Sequence, residues 1–384
     1  MKLIDYISYI LIAVAVILKS YALSIEFIQE YTTIIIVVFS AYWILASSRE
    51  PFRKMRIFRL FELFSLIIGI STIISLIFND ISLCKLLDAF LFPFLFVSSY
   101  AFFSKYPSSF KYIKYLGIIL ICVAFWNVQR LSSIANQNVT EGMVQSNSGN
   151  LLVALIPFVC LWEKKEIKYG LWIVILIGIC ISLKRSAFII YLSCLFFVFF
   201  LSKGRRVTAL TILFVCVCAV GIVHHLSSTF PFIEILLNRL SMVFDDGGSG
   251  RDVLFLRTWN LYLETDLINQ IFGNGFLSVS HNISSMYNIF YSSAHNDILE
   301  ILYDYGALGL LVFVLICHEH YRMTKETYND LTKGDLFNVI LCCDIIYVVA
   351  ICMICTIVHY WYYLPMYCLW GATYAQLYDT EYES

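Results

Sequence analysis

Three cations and one imidazole stand at points where an otherwise apolar sequence turns polar. Lys184 and Arg185 are the only residues between two apolar runs. Arg251 follows a glycine-rich turn, and His295 comes just before another apolar run. A guanidinium can bind a phosphate through two parallel hydrogen bonds, and an imidazole with its usual pKa near 6.5 suits general acid/base work. The residue types therefore indicate anion binding and proton transfer.

Each of these residues also has a structural interpretation. Lys184 and Arg185 could reach anionic lipid headgroups, although a cation at this depth costs a few kcal/mol and is by default a functional candidate. Arg251 could pair with the Asp245-Asp246 turn, and a single histidine is more often structural. A zinc site is disfavoured because the histidine spacings match no familiar metal motif. The histidines considered for such a site are His224, His225, His281, His295 and His359.

The elements that position these residues are predicted to be membrane-spanning helices. The 384 residues are 60% hydrophobic and only 14% charged, whereas a soluble domain carries nearer a quarter charged residues. Apolar runs of about 20 residues recur along the chain, which is the length that crosses a bilayer as a helix. We predict an all-α integral membrane protein with about twelve transmembrane helices and one long periplasmic loop that carries short amphipathic helices.

The predicted chain has three parts. Residues 1–223 hold transmembrane helices 1–9, of which the sixth is a short span at 150–162 and the ninth lies at 207–223. Residues 224–297 form the periplasmic catalytic loop, and residues 298–384 hold helices 10–12 and a short cytoplasmic tail. A cytoplasmic N-terminus places 18 of the 26 Lys and Arg residues on the cytoplasmic side, as the positive-inside rule requires. Both termini are then cytoplasmic. In the loop, 231–244 is predicted to lie flat in the interface, and Ser249 with Asp252 predicts a helix start.

This arrangement excludes several classes of protein. No predicted cytoplasmic connector is longer than about fifteen residues, which is too short for a nucleotide-binding domain. The sequence contains no P-loop and no dinucleotide-binding glycine pattern followed by an acidic residue. None of the 13 cysteines lies between His224 and His295, so a disulfide-stapled outer domain is excluded. An enzyme of this kind would face outward and take an activated substrate from the membrane, most naturally a lipid-linked donor.

Taken together, these residues resemble the O-antigen polymerase/O-antigen ligase superfamily, a GT-C-like group of bacterial envelope glycosyltransferases. The resemblance covers roughly 176–311. One departure is that the family often has Ser before the hairpin Arg, whereas here Lys184 precedes it and Ser186 follows. The matching pieces, in chain order, are Arg185, Ser249-Gly250-Arg251 with Trp259 downstream, Gly273-x-Gly275-Phe276, and His295-Asn296-x-x-Leu299-Glu300 running into Tyr305-Gly306-x-x-Gly309.

The resemblance implies a metal-independent, inverting glycosyltransferase without a cofactor. It would use an undecaprenyl-diphosphate-linked oligosaccharide at the periplasmic face of the bacterial inner membrane. Arg251 and Arg185 would bind the donor diphosphate and stabilise it as the leaving group, and His295 would position or deprotonate the acceptor hydroxyl. Further substrate-binding candidates are Arg257, Arg130, Lys184, Asn296, Trp259 and Tyr262.

The expected function is an O-antigen or capsular polysaccharide polymerase, which transfers the glycan onto the non-reducing end of another lipid-linked repeat unit. The alternative within the superfamily is a ligase that moves the glycan to lipid A core or protein. From other classes, a flippase would show repeated halves and midplane charges, and a scaffold would tolerate substitution of the site residues. Besides the bilayer, a chain-length regulator protein is a candidate partner, and no nucleic acid is expected.

Overall fold

The computed structural model describes residues 2–21, 26–46, 55–78, 83–137, 149–182, 184–201, 251–287, 293–329, 334–353 and 360–378. These residues form sixteen α-helices and three 3-10 turns, and none of them is in a β-strand. The first ten helices are α1 (Lys2–Tyr21), α2 (Glu26–Ala46), α3 (Arg56–Phe78), α4 (Leu83–Leu87), α5 (Leu91–Lys105), α6 (Ile113–Gln137), α7 (Gly149–Val153), α8 (Ile156–Cys160), α9 (Lys165–Ser182) and α10 (Arg185–Leu201). The others are α11 (Arg251–Glu264), α12 (Leu267–Phe272), α13 (Ser278–Tyr287), α14 (Asp297–Asn329), α15 (Gly334–Met353) and α16 (Leu364–Tyr378).

Within the described residues, seven helical stretches are long and apolar enough to cross a membrane. The chain is therefore a multi-pass membrane protein, and the predicted all-α class is confirmed. The count of about twelve spans, the periplasmic loop and the boundaries at 223 and 297 stay predictions. The seven stretches are Leu3–Tyr21, Ile28–Ala46, Arg56–Ile77, Lys85–Lys105, Pro107–Gln129, Asp297–Tyr328 and Gly334–Cys352.

The chain folds as two compact units. The first consists of Met1–Ile113, Val253–Asp330 and Ala350–Ser384, and the second of Lys114–Asp252 and Leu331–Val349. In each unit, segments that are distant in the sequence pack together.

The core of the first unit is built by α16 packed along α5. Gly371 lies against the backbone of Phe96, where a larger residue would collide with the carbonyl oxygen. On the same faces, the ring centroids of Phe92 and Tyr367 are 4.5 Å apart. Lipid tails are as apolar as these side chains, so helices in a membrane associate through such close packing rather than through exclusion of water.

Two ion pairs join α1 to its neighbours in the first unit, and in each at least one charged group is buried. Lys19, only 2% exposed, lies 2.9 Å from Asp88 and donates a hydrogen bond to the Thr33 hydroxyl at 2.6 Å. At the other end of α1, Asp5 accepts hydrogen bonds from Lys105 and from the Tyr106 hydroxyl, both at 2.7 Å. Burial and this bond to Asp5 raise the pKa of Tyr106 to about 12, so its hydroxyl remains a donor at physiological pH.

The second unit contains an interrupted apolar helix. The run predicted as a single short span, 150–162, forms two five-residue helices, α7 and α8, separated by a turn. Pro157 lies in the first turn of α8, where its missing N–H is tolerated, whereas inside a continuous helix it would remove a hydrogen bond. Both helices are buried.

Several predicted features lie outside the described residues. They are the ninth span at 207–223, the interfacial helix at 231–244, Asp245-Asp246, the Ser249 helix cap, and His224, His225 and His359.

Candidate functional site

The backbone is broken inside α14 at Gly306. This residue has φ 71° and ψ −178°, a combination essentially open only to glycine. A Cβ on Gly306 would also collide with the backbone of Ile271 and Gly273, and a Cβ on Gly273 would collide with the carbonyl of Asp304. The two glycines therefore allow the turn after α12 to lie directly against the broken helix.

Hydrogen bonds join this turn to the break. The carbonyl oxygens of Tyr303 and Asp304 accept bonds from the N–H groups of Asn274 and Gly275, each at 3.0 Å. The Ser71 hydroxyl, on α3, donates to the same Asp304 carbonyl at 3.0 Å. Three segments of the first unit therefore meet at one point.

The Asp304 carboxylate supports the start of α13. It is 1% exposed, and its two oxygens accept the N–H groups of Leu277 at 2.8 Å and Val279 at 3.1 Å. The first N–H groups of a helix have no partner within the helix and carry partial positive charge. A carboxylate satisfies both requirements, so Asp304 supports the backbone at the start of α13.

A second buried carboxylate supports the turn that carries His295. Glu300 is 1% exposed and accepts the N–H of Ala294. The His295 N–H is bonded to the Ser293 hydroxyl at 3.0 Å. On the other side, the Asn296 side-chain oxygen accepts the N–H of Ile298 at 3.0 Å and caps α14. His295 is therefore flanked on both sides by local hydrogen bonds.

His295 itself adopts an uncommon backbone conformation. Its φ is 51°, in the left-handed region that costs a residue with a Cβ roughly 1–2 kcal/mol. Such strain persists where the surrounding structure imposes it, and it is frequent at functional sites. The half-buried His295 side chain is therefore held at a defined place immediately before a span-length helix, as a base or a positioning group requires.

The predicted residues of α11 are placed in different ways. Within the described residues α11 begins at Arg251, and Arg251 and Arg257 are both half-buried. Trp259 is exposed, and its ring centroid is 5.8 Å from that of Tyr262. The Tyr262 hydroxyl donates to the Gln270 carbonyl at 3.2 Å, so this tyrosine ties α11 to α12.

The predicted cationic hairpin, Lys184-Arg185, is in contact with neighbouring residues of the second unit. The N–H of half-buried Lys184 donates to the Ser182 hydroxyl at 3.3 Å, and Gly149 packs closely against both residues. Arg185 begins α10 and Arg130 lies in α6, but the side chains of these two arginines lie outside the described residues.

The predicted site residues fall into the two units. The structure brings His295 and Asn296 together in one turn and brings Trp259 and Tyr262 together on α11; these four and Arg257 belong to the first unit. The second unit holds Arg130, Lys184, Arg185 and Arg251. In the described part of the chain, no three His, Cys, Asp or Glu side chains are grouped so that they could hold a metal ion.

Several residues that shape the His295 turn and its neighbourhood were not predicted from the sequence. Glu300 belongs to the recognised motif, but no role was assigned to it. Asp304 could have been identified from the sequence, because an acidic residue inside an apolar run is energetically costly and is therefore a candidate for a structural or functional role. No sequence pattern predicts the contacts of Ser71, Ser75 and Ser293, since serine is common in apolar helices and turns.

These features define a class: a multi-pass, all-α membrane protein with a strained histidine held before a broken, span-length helix. A family model described as O-antigen ligase matches residues 169–314, a segment that contains all the motifs from Arg185 to Gly309. Through this segment the chain is similar to the O-antigen polymerase/O-antigen ligase superfamily, which supports a glycosyltransferase-like membrane enzyme. No curated protein matched the chain.

Proposed function

We propose that this protein is an O-antigen or capsular polysaccharide polymerase. Its superfamily comprises polymerases and ligases of glycans. In the polymerase reaction, donor and acceptor are both undecaprenyl-diphosphate-linked units, and the glycan of one is transferred to the non-reducing end of the other. The proposal locates the enzyme in the bacterial inner membrane with both termini cytoplasmic and the catalytic loop periplasmic.

The observation that carries the proposal is the His295 turn. It lies within the segment that matches the family, and two local hydrogen bonds and the buried Glu300 carboxylate hold it in a strained conformation. A surface histidine without a role would not need such support. This favours a catalytic task for His295 over a purely structural one.

The proposed reaction is an inverting displacement. The acceptor hydroxyl oxygen forms a bond to the anomeric carbon of the donor, and its proton passes to His295. The bond from that carbon to the diphosphate oxygen breaks, and the electron pair leaves with the diphosphate. Arg251 and Arg185 neutralise the developing charge, so the reaction requires no metal ion. Arg257, Arg130, Lys184, Asn296, Trp259 and Tyr262 are proposed to bind the remainder of the substrates.

The test uses the purified full-length protein in lipid with synthetic undecaprenyl-diphosphate repeat units and EDTA. Product length is followed by mass spectrometry for the wild type, His295→Ala and the matched control His281→Ala, since His281 is an exposed histidine of α13. We expect oligomers from the wild type and the control only. Equal elongation by His295→Ala would contradict the assignment of His295, and a wild type inhibited by EDTA would contradict the metal-independent mechanism.

Arg251 is tested in cells by the ladder of polymer lengths. Arg251→Ala at unchanged expression should abolish the ladder, and Arg251→Lys should restore only part of it, because a lysine offers no bidentate fork to a phosphate. A normal ladder from Arg251→Ala would remove this residue from the proposed site.

The second candidate function is that of a ligase, and the description of the matching family favours it. It is distinguished by the acceptor. If the wild type does not elongate repeat units but transfers glycan when lipid A core or protein is supplied, the enzyme is a ligase. If neither transfer occurs and repeat units cross a vesicle bilayer, the protein is a transporter.

A further inference from the structure

Helices α11 and α12 present large apolar side chains away from the protein. Leu267 and Ile268 are each 70% exposed, although both are among the most apolar side chains of the segment. The full set of exposed apolar side chains on these two helices is Val253, Leu256, Trp259, Leu263, Leu267, Ile268, Ile271 and Phe272.

The orientation of α12 is set by its polar side chains. At 100° per residue, the four apolar residues of α12 lie on one arc of about 140°. Asn269 and Gln270 lie on the remaining face and bond back to the preceding chain, Asn269 to the Asp266 carboxylate at 3.1 Å and Gln270 to the Thr265 carbonyl at 3.0 Å. The helix therefore directs its amides inward and its apolar face outward.

Helix α11 shows the same feature on one side. Thr258 and Leu261 are its buried positions, and Leu261 packs into the cluster with Val279 and Tyr303. Leu256 and Leu263 lie on the opposite side of the helix. One face of α11 is thus buried against the protein, and the apolar residues on the opposite face are exposed.

The depth of these helices follows from their contacts with α3. The Ser75 hydroxyl of α3 donates to the Phe276 carbonyl, just after α12, at 2.8 Å. On both sides of Ser75, α3 exposes apolar side chains, with Ile73 before it and Ile77 after it. The turn at Phe276 therefore lies level with the last turn of α3, inside the candidate span that ends at Ile77.

The contact with α14 indicates the same depth. Ile271 of α12 meets the backbone at Gly306. From that point onward, α14 exposes Leu308, Leu311 and Val314, the pattern of a span that faces lipid tails. The apolar arc of α12 is thus level with the apolar surface of α14, which it contacts, and with that of α3, which the following turn contacts.

We infer that α11 and α12 form a ledge embedded among the acyl chains of the bilayer, with the outward apolar side chains listed above, other than Trp259, in contact with lipid. Each large apolar side chain left in water would forgo the favourable free energy of transfer out of water, and this ledge lies beside two candidate membrane spans. About three turns of α14, or roughly 15 Å, separate His295 from Gly306. The ledge therefore holds the His295 turn close to the membrane surface.

The experiment places a benzophenone amino acid at Ile268, Phe272 or Leu256 of the full-length protein in phospholipid vesicles. Adducts formed on illumination are identified by mass spectrometry. Leu311 on α14 serves as the lipid-facing reference and Asn260, an exposed polar residue of α11, as the aqueous reference. The readout does not depend on enzymatic activity, so it stands whether or not the proposed function is correct.

We expect phospholipid adducts at all three ledge positions, comparable in yield with Leu311 and at least about tenfold above Asn260, as for an interfacial helix. Yields no higher than at Asn260 would show that the ledge faces water and would overturn the inference. Adducts mainly to a second copy of the chain would also overturn it and would identify the ledge as a protein interface.

Discussion

Two regions of the first unit bury carboxylates and use them in different ways. In the ion-pair bundle, formed by α1, α2 and α5 with their connecting turns, Asp5 and Asp88 accept hydrogen bonds from side chains of other helices. In the interlocked turns, residues 273–279 and 293–306, Glu300 and Asp304 accept backbone N–H groups. The first arrangement joins helices, whereas the second determines the path of the chain. Damage to the bundle should therefore reduce the amount of folded protein, and damage to the turns should also reduce the activity of each folded molecule.

The largest effect is expected at the break in α14. Gly306→Ala places a Cβ where the backbone of Ile271 lies and where φ is positive; the strain alone costs roughly 1–3 kcal/mol, and the collision adds to it. We expect most of the folded protein to be lost, measured as the monodisperse yield in detergent. The matched control is Gly170→Ala, since nothing lies within 4 Å of that position. A normal yield for Gly306→Ala would show that the interlocked turns do not depend on this glycine.

The next effect concerns the ion-pair bundle. Lys19→Ala leaves the Asp88 carboxylate without its buried cation, which should cost about 3–5 kcal/mol of stability. Lys168→Ala breaks an exposed pair with Asp335 and should cost roughly 0–1 kcal/mol. Thermal unfolding in detergent measures both changes. Glycan transfer per folded molecule should remain at the wild-type level in Lys19→Ala, and a parallel loss of activity would remove the contrast between the two regions.

A smaller effect, on catalytic activity rather than on stability, is predicted for substitution of Glu300. Glu300→Ala removes the acceptor of the Ala294 N–H, and the His295 turn is then free to shift. Because a misplacement of about 1 Å can cost on the order of a hundredfold in rate, we expect kcat to fall by roughly ten- to a hundredfold. Glu300→Gln keeps a carbonyl acceptor and should retain most of the activity. Equal losses in both variants would indicate that charge, rather than backbone support, is what Glu300 supplies.

The smallest effect is expected for the link between α3 and the turn after α12. Ser75→Ala removes one hydrogen bond to the Phe276 carbonyl, worth about 1 kcal/mol. We expect a small decrease in the unfolding temperature and unchanged glycan transfer. Ser193→Ala, which removes a bond within a single helix, is the control. A loss of activity in Ser75→Ala alone would mean that the position of α3 is transmitted to the site.

Local patterns in the sequence were sufficient for the class of fold. Apolar runs of the length of a membrane span predicted the all-α membrane class, because a bilayer leaves helices as the way to satisfy the backbone of such runs. The order of the motifs indicated the similarity to the superfamily. By contrast, the apolar run at 150–162 was predicted as one span and proved to be two short helices, since Pro157 starts a new helix there.

The arrangement of the candidate site depended on contacts that no local pattern encodes. The sequence by itself determined that His295, Asn296 and Glu300 stand together at the start of an apolar run. Only the tertiary structure decided that Glu300 supports the chain before His295 and that Asp304 caps a helix 26 residues earlier in the sequence. The physical reason is that backbone N–H groups in turns must find an acceptor. Where none lies nearby in the chain, the acceptor comes from whichever segment the fold brings into contact.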